Sequence, residues 1–192
     1  MKFNELNEDQ KARALETHRY INVDDSFWSD SITEHFISVL QEHGFEDIQA
    51  RYSGFCSQGD GASFTAGNVD IEKFLRKTKR WTHYRLLQEF IKFNDISVKV
   101  VQNSNYHYVH SNTTQAEISG DWHIDFTAKQ QALYDNLETE IDEFITAKGD
   151  EFYNTLYKEY YYQIEDEQVQ ETIIADDMDF EEDPREPSVT YL

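Results

Sequence analysis

The sequence predicts an α+β fold in which a small antiparallel sheet is flanked by helices. Three patterns support this fold class. Apolar residues recur at three- and four-residue spacing from Trp28 to Leu40, which is typical of a helix with one buried face. Residues 48–66 alternate between two faces around a glycine-rich centre, as the two strands of a hairpin do. From Leu133 to Ile145 an apolar residue recurs at every fourth position, which indicates a further helix.

Two helices are predicted in the N-terminal part of the chain. Asn7 and Gln10 have the spacing of a capping box and should open the first helix, with Ala12 on its buried side. The side chains at residues 24–26 offer N-cap oxygens to the second helix. Gly44 lies where a left-handed C-terminal cap is needed, so the second helix should end there.

The middle of the chain is predicted to complete the sheet. Residues 68–94 have a helical pattern with a break near Thr78. Two further strands are expected near residues 96–110. One lies at residues 96–100, where isoleucine and valine alternate with polar residues, and the other at residues 106–109. Together with the hairpin they form the antiparallel sheet of the predicted core.

The C-terminal third is predicted to be an acidic pair of helices followed by an acidic tail. Gly149 should separate the two helices, and two prolines in the last ten residues should keep the tail irregular. We therefore expect three parts. An α+β core domain occupies residues 1–122, the helical pair packs on it at residues 123–174, and the tail covers residues 175–192.

The chain of 192 residues is strongly acidic. It has 38 Asp and Glu against 17 Lys and Arg, which gives a formal net charge of −21. A surface of this sign repels phosphate backbones and anionic lipids, so direct binding to nucleic acid or to a membrane is not expected. No apolar run approaches the roughly 18 residues of a membrane span, and the N-terminal residues form no hydrophobic segment, so we expect a cytoplasmic protein.

The charge is unevenly distributed along the sequence. Residues 73–92 contain seven Lys and Arg, whereas residues 117–192 contain 22 acids and four bases. Seven cations cannot neutralise that excess, so a large negative surface should remain even if the acidic helices pack near the basic stretch. We expect the tail to be held by the basic stretch around residues 76–85.

The most distinctive local sequence lies at residues 52–64 and has the pattern Y-x-G-F-x-S-Q-G-D-G-A-S-F. This segment resembles one found in small acidic bacteriophage-encoded proteins of unassigned function, and the resemblance extends to residues 23–30 and 44–45. It implies a phage context without implying an activity.

The centre of this segment is a glycine-rich loop that is predicted to be a hairpin corner. Gly59 and Gly61 can adopt positive φ angles, and the Asp60 side chain can accept hydrogen bonds from its own turn. The alternative is a loop whose backbone amides bind an anion or contact a partner. The candidate loop residues are Ser57, Gln58, Gly59, Asp60 and Gly61.

No other group of residues predicts a catalytic or metal site. Cys56, the only cysteine, is expected to be a buried thiol rather than a nucleophile. His107 and His110 would lie on opposite faces of a strand, which makes them a poor metal pair. The tail acids do not form a calcium loop, because Glu182 and Ser188 occupy its glycine and final glutamate positions. We therefore expect no cofactor, no metal and no enzymatic activity.

A row of carboxylates is predicted on the first C-terminal helix. Asp135, Glu138 and Asp142 are three and four positions apart, so they should face away from the apolar stripe at a spacing of about 5–6 Å. Neighbouring phosphates of a DNA strand are separated by a similar distance, roughly 6–7 Å. Glu140 and Glu143 widen the row.

These observations predict a phage-encoded, non-enzymatic inhibitor that mimics DNA. It would occupy the basic nucleic-acid site of a host defence, repair or DNA-binding protein. Met178 and Phe180 should add apolar anchors to the interface. The acidic residues predicted to bind the partner are Asp135, Glu138, Glu140, Asp142, Glu143, Asp176, Asp177, Asp179, Glu181, Glu182 and Asp183.

Two alternatives remain open. One is a small-ligand module or an enzyme centred on the loop at residues 57–63, with Asp60 and a histidine as its polar groups. The other is a phage structural or assembly adaptor. The sequence also leaves the oligomeric state open, and a homodimer is compatible with it.

Overall fold

The computed structural model describes residues 1–103, 108–120 and 125–181, and it confirms the α+β fold. The helices of these ranges are α1 (Glu8–Thr17), α2 (Phe27–Glu42), α3 (Ile71–Lys77), α4 (Gln88–Lys92), α5 (Ala128–Gln163) and α6 (Asp166–Ala175). The strands are β1 (Phe45–Glu46), β2 (Gln49–Tyr52), β3 (Ala62–Thr65), β4 (Asn68–Val69), β5 (Ile96–Gln102) and β6 (Thr114–Gly120). Among the helices described, none combines the length and the apolar character needed to cross a membrane.

The chain forms two compact units. Unit 1 combines Met1–Ser31 with Leu156–Leu192, and unit 2 is Ile32–Thr155. The boundaries fall inside α2 and α5, so each of these helices contributes residues to both units. The division predicted at residues 122 and 174 stays a prediction.

The strands of unit 2 form three antiparallel pairs. β1 pairs with β4, β2 with β3, and β5 with β6. The predicted hairpin is confirmed by the β2–β3 pair, in which Ala50 lies opposite Phe64. An isolated antiparallel bridge between Ala66 and Val100 joins the end of this hairpin to β5. The strands thus form three two-stranded sheets, of which the bridge links two.

The strand predicted at residues 96–100 is confirmed, but its predicted neighbour is wrong. β5 pairs with β6, whereas Tyr108 and Val109 lie outside any strand and residues 104–107 lie outside the described ranges. β6 is half polar, with buried Thr114 and Ala116 alternating with exposed glutamine and glutamate. Because the apolar signal of β6 is weak, the sequence pattern favours the tyrosines before it as the strand.

The helical pattern at residues 68–94 is interrupted more than predicted. Asp70 caps α3 by accepting a hydrogen bond from the Lys73 N–H at 2.9 Å. The predicted break near Thr78 is confirmed, since α3 ends there and Lys79 has a φ of +62°. A non-glycine residue in this left-handed region ends a helix. Turns then lead to α4, and Tyr84 within them is fully buried.

The predicted break at Gly149 is wrong, because α5 continues through this residue for 36 residues in all. A Cβ atom at Gly149 would lie 2.9 Å from the Ser111 Cβ and 3.0 Å from the Ala62 carbonyl oxygen. Glycine is therefore required by close packing of the helix on β3 and on the turn before β6. It does not end the helix.

Aromatic rings fill the core of unit 2. Phe36 stacks on Phe152 with ring centroids 4.2 Å apart. Phe45 stacks on Phe144 with a centroid distance of 5.5 Å and also meets Phe64 edge to face. α5 supplies two of these rings, so its packing on the strands determines how the core is filled.

Unit 1 has a separate apolar core. The capping box of α1 is confirmed, with the Gln10 N–H donating to Asn7 Oδ1 at 3.0 Å and the Asn7 N–H donating to Gln10 Oε1 at 2.9 Å. The buried side of α1 is at Ala14, whereas Ala12 is exposed, which corrects the predicted face. The buried residues of this core are Phe3, Leu6, Ala14, Val169, Ile173, Met178 and Phe180.

Both predicted ends of α2 are confirmed. The Phe27 N–H donates to Asp25 Oδ1 at 2.9 Å at its N-terminus. At its C-terminus Gly44 has a φ of +94°. Phe36 and Leu40 of the predicted stripe are buried, as a helix with one buried face requires.

We expect Gly149→Ala to lower the free energy of unfolding by about 1–3 kcal/mol, because the added methyl overpacks the contact with Ala62 and Ser111. Helix propensity alone predicts the opposite sign, a gain of about 1 kcal/mol. Urea unfolding followed by circular dichroism measures the difference. Asn154→Ala, at an exposed position of the same helix, is the control and should change stability little. Equal stability of the two variants would contradict the packing role of Gly149.

Candidate partner-binding surface

The predicted carboxylate row on α5 is only partly exposed. Asp135, Glu138 and Glu143 are exposed, and Asp135 accepts a hydrogen bond from Gln131 Nε2 at 2.8 Å on its own helix. Glu140 and Asp142 are half-buried. The accessible part of the row therefore consists of three carboxylates.

Asp142 faces β6, so its predicted position on the solvent face is wrong. Its Oδ1 accepts a hydrogen bond from the Ala116 N–H. Burial raises the pKa of the Asp142 carboxyl above its usual value, while the Ala116 hydrogen bond acts in the opposite direction. Asp142 therefore attaches α5 to the strand and satisfies a backbone donor there.

Glu140 lies beside the basic stretch of unit 2. Its Oε1 is 3.9 Å from Arg80 Nη1. Burial, followed by the nearby Glu140 carboxylate, raises the pKa of the Tyr84 hydroxyl far above its usual value. Two other bases of the stretch also pair with carboxylates, Arg76 with Glu72 and Lys77 with Glu42. Part of the positive charge in the middle of the chain is thus paired inside unit 2.

The acids that follow α6 lie in unit 1. Asp176, Asp177, Asp179 and Glu181 are exposed, and the other two predicted tail acids, Glu182 and Asp183, lie outside the described ranges. Lys2 Nζ is 3.0 Å from Asp177 Oδ2 and 3.1 Å from Asp179 Oδ1. The hydrogen bond to Asp177 raises the pKa of the Lys2 ammonium, and Asp179 adds to the effect.

The first residues of the chain hold residues 177–180, whereas the sequence predicts that the basic stretch around residues 76–85 holds the tail. Residues 182–192 of the predicted tail lie outside the described ranges. The Met1 ammonium donates to the Phe180 carbonyl at 2.7 Å, and the Phe180 N–H donates to the Met1 carbonyl at 2.8 Å. Met178 and Phe180 are buried in the core of unit 1. The prediction that they anchor a partner is therefore wrong, because their side chains already pack inside the protein.

The acidic excess is densest in unit 1. This unit contains 19 acids and 6 bases, whereas unit 2 contains 19 acids and 11 bases. Charge counted along the sequence does not reveal this concentration, because the fold joins the acids of residues 1–31 to those after residue 156. The N-terminal acids such as Glu8 were accordingly absent from the predicted set. The seven acids in the first 31 residues are the feature of the sequence that indicates an acidic N-terminal contribution.

The glycine-rich loop is a corner stabilised by Asp60. Asp60 Oδ2 accepts hydrogen bonds from the Cys56 N–H at 2.9 Å and from the Ser57 N–H at 2.6 Å. Gly59 has a φ of +103°, as predicted. Gly61 is needed for space instead, since a Cβ there would lie 2.9 Å from the Val109 carbonyl oxygen. Cys56 is exposed, which corrects its predicted burial.

An open depression of about 610 Å³ lies beside this loop. Ser53, Asp60 and His110 are among its polar lining residues. His110 Nδ1 lies 3.2 Å from the neighbouring Ser111 Oγ, so this nitrogen takes part in a local turn. Within the described ranges, no three His, Cys, Asp or Glu side chains are arranged to hold a metal ion.

A family model described as a domain of unknown function, DUF8835, matches residues 28–166. No curated protein and no solved structure matches the chain.

We expect Asp142→Ala to lower the free energy of unfolding by about 1–3 kcal/mol, because the Ala116 N–H loses its acceptor. Asp142→Asn keeps an acceptor oxygen and should cost less. The folded pKa of Asp142 is raised, so the folded state binds more protons than the unfolded state. Its contribution to stability must then fall as the pH rises from about 3.9 through the folded pKa.

Urea unfolding of both variants between pH 4 and pH 7 measures these effects. The stability of Asp142→Asn relative to the wild type should increase with pH across this window. Glu143→Gln, at an exposed position, is the control. An Asp142→Ala protein as stable as the control would show that the hydrogen bond to Ala116 does not contribute to the free energy of unfolding.

We expect Phe180→Ala to destabilise unit 1 by about 3–5 kcal/mol, the cost of removing a buried phenyl ring. Phe93→Ala removes the same ring from an exposed position and should change stability by less than about 0.5 kcal/mol. Thermal unfolding distinguishes the two. A Phe180→Ala protein with wild-type stability would mean that the segment after α6 is not part of the core.

Proposed function

The chain belongs to the DUF8835 family, and we propose that it acts as a non-enzymatic DNA mimic. In this proposal a phage encodes it, and it acts in the host cytoplasm. There it occupies the basic nucleic-acid site of a defence, repair or DNA-binding protein. The observation that supports the proposal most strongly is the acidic surface of unit 1, defined as the exposed Asp and Glu side chains of that unit.

The acidic surface of unit 1 stays negative despite its ion pairs. Lys2 is shared by Asp177 and Asp179, and Arg19 is shared by Glu16 and Asp166. The paired carboxylates remain open to solvent, with the side chain of Asp177 82% exposed. Two cations shared in this way cannot neutralise the unit, because its described residues contain 16 acids and 5 bases.

The fold of unit 1 does not need most of this charge. The buried cluster at its core consists of apolar residues, and none of its described acids is buried. Concentrating like charge on a compact unit costs stability through self-repulsion. A protein gains from such a surface when a partner of opposite potential binds it, because charge complementarity speeds encounter and excludes wrong partners.

α5 provides a second, smaller acidic surface on unit 2. Asp135, Glu138 and Glu143 span eight positions, which corresponds to about 12 Å along a helix. Three carboxylates over this length match the charge of two to three successive phosphates. This surface supports the same class of partner as the acidic surface of unit 1.

The loop at residues 57–63 supports a ligand site less well. The depression beside it is open, and Asp60 uses one carboxylate oxygen for two backbone amides of its own turn. A carboxylate that accepts these hydrogen bonds stabilises the turn, and it has less capacity to bind or activate a substrate. The geometry therefore favours DNA mimicry over the small-ligand alternative.

A displacement experiment tests the proposal. Proteins captured from bacterial lysate on the immobilised chain at low salt are eluted with duplex DNA, identified and purified. We expect these proteins to bind DNA, and the chain to displace a fluorescent duplex from them. The inhibition constant should rise with salt concentration, because surface electrostatics are screened.

Matched charge variants locate the surface. Asp9→Asn, Glu167→Gln and Glu171→Gln together remove three exposed carboxylates from unit 1, and we expect about tenfold weaker displacement, or about 1.4 kcal/mol. The control removes three exposed carboxylates from unit 2 outside the α5 row, by Glu34→Gln, Glu89→Gln and Glu117→Gln. Equal losses in the two triple variants, or captured proteins that duplex DNA cannot elute, would contradict the proposal.

A further inference from the structure

Among the described residues of unit 1, the most exposed large apolar side chain is that of Phe27, the first residue of α2. Its exposed fraction is 79%, whereas Phe3 and Phe180, in the core of the same unit, are buried. A ring that stays in water contributes little to the hydrophobic stabilisation of a fold. Folding of unit 1 therefore does not account for a phenyl ring at this position.

A carboxylate lies on each side of this ring along the chain. On the N-terminal side, Asp25 Oδ1 accepts a hydrogen bond from the Phe27 N–H at 2.9 Å, which fixes this carboxylate beside the backbone that carries the ring. On the C-terminal side, Asp30 lies three positions further along α2, so its Cβ is about 5–6 Å from the Phe27 Cβ on the same helix face. Both aspartates are exposed. We call Asp25, Phe27 and Asp30 the ring-and-carboxylate motif.

Hydrogen bonds fix the backbone that carries the ring-and-carboxylate motif. The Asp30 N–H donates to the Ser26 carbonyl at 3.1 Å and closes the first turn of α2. Before this turn, Asn22 donates through Nδ2 to the Gln163 carbonyl at 3.0 Å and accepts from Thr172 Oγ1 at 2.6 Å. These bonds join the segment to the end of α5 and to α6. A surface that is already ordered loses less conformational entropy when a partner binds.

The ring-and-carboxylate motif fits a partner that has an apolar pocket with positive charge at its rim. A ring contributes binding energy when a well-packed pocket removes it from water. The carboxylates on either side of it require groups of opposite charge beside that pocket. Proteins that hold an unstacked nucleotide have sites of this kind. Aromatic or apolar side chains enclose the base, and Lys and Arg bind the phosphates next to it.

We propose that the ring-and-carboxylate motif imitates an unstacked nucleotide and binds the base pocket of a nucleic-acid-binding protein. A nucleotide presents a flat ring between two phosphates, and the motif presents a flat ring between two carboxylates. In the complex the Phe27 ring occupies the pocket of the base, while Asp25 and Asp30 contact the cations that otherwise bind the phosphates. A phenyl ring lacks the hydrogen-bonding edge of a base, so it fills the pocket by stacking, which every base can do.

This inference deepens the proposed function and rests on it for the class of partner. The acidic surface of unit 1 fits any protein with a basic nucleic-acid site. The ring-and-carboxylate motif narrows that class to proteins that hold a base outside the stack, either by binding single strands or by flipping a base from a duplex. The buried ring slows dissociation from such a partner, while the acidic surface of unit 1 speeds association.

Ring variants of the full chain test the inference, with the captured proteins and the fluorescent duplex of the displacement experiment. We expect Phe27→Ala to raise the inhibition constant at least about tenfold, because a ring that fills a pocket is a binding hot spot. Phe27→Tyr keeps the ring and should change the constant less than about threefold. Phe93→Ala is the matched control, since Phe93 is 76% exposed but lies between Lys92 and Asn94 in unit 2. It should leave the constant unchanged, and circular dichroism verifies the fold of every variant.

A competition measurement distinguishes a base pocket from any other apolar pocket. A mixture of the four deoxynucleosides offers bases without phosphates, so it competes for the pocket and not for the cations around it. We expect the mixture to weaken binding of the wild-type chain to a captured protein and to leave binding of Phe27→Ala unchanged. Asp25→Asn with Asp30→Asn keeps the oxygen that accepts from the Phe27 N–H. This variant should bind more weakly, and the nucleosides should still compete with it.

The two proposals fail in different ways. Equal displacement of the duplex by the wild type and Phe27→Ala overturns this inference and keeps the proposed function. A loss with Phe93→Ala equal to that with Phe27→Ala does the same, as do nucleosides that compete with both the wild type and Phe27→Ala or with neither. A chain that displaces no duplex loses the DNA-mimic function, and this inference is lost with it.

Discussion

The close contact at Gly149 is the constraint on which the fold of unit 2 depends. At this residue α5 comes close to the Ala62 carbonyl and the Ser111 side chain. Ala62 is the first residue of β3, and Ser111 lies just before β6. Asp142 lies two turns earlier, about 10 Å along the helix, and reaches the β6 backbone. Phe144 and Phe152 enter the aromatic core on either side of this contact. Once Gly149 fixes the register of the helix, these other contacts follow.

Features governed by local chemistry could be predicted from the sequence. The capping box at Asn7 and Gln10, the cap at Gly44 and the hairpin at residues 48–66 each depend on residues close together in the chain. Short-range hydrogen bonds and backbone preferences determine them, so the residue types are sufficient evidence. The α+β class follows from these same elements.

Features governed by distant contacts could not be predicted. Gly149 resembles a helix end until Ala62 and Ser111 are placed beside it. Phe180 lies among acids and resembles part of a solvated tail, because its partners are at the N-terminus. The acids of the candidate partner-binding surface differ from the predicted set for the same reason. The sequence indicated an acidic C-terminal third, but only the fold turns Asp142 inward and adds the N-terminal acids to unit 1.

The discontinuity of unit 1 has a consequence for synthesis on the ribosome. Phe3 and Leu6 are translated before their core partners Val169 and Ile173, which emerge about 160 residues later, a delay of roughly 8–30 s. Unit 2 is a single stretch that ends before those partners exist. The nascent N-terminal segment must wait without its core, and its seven acids favour hydration over aggregation during that interval. The negative charge would then protect the chain before it contacts any partner.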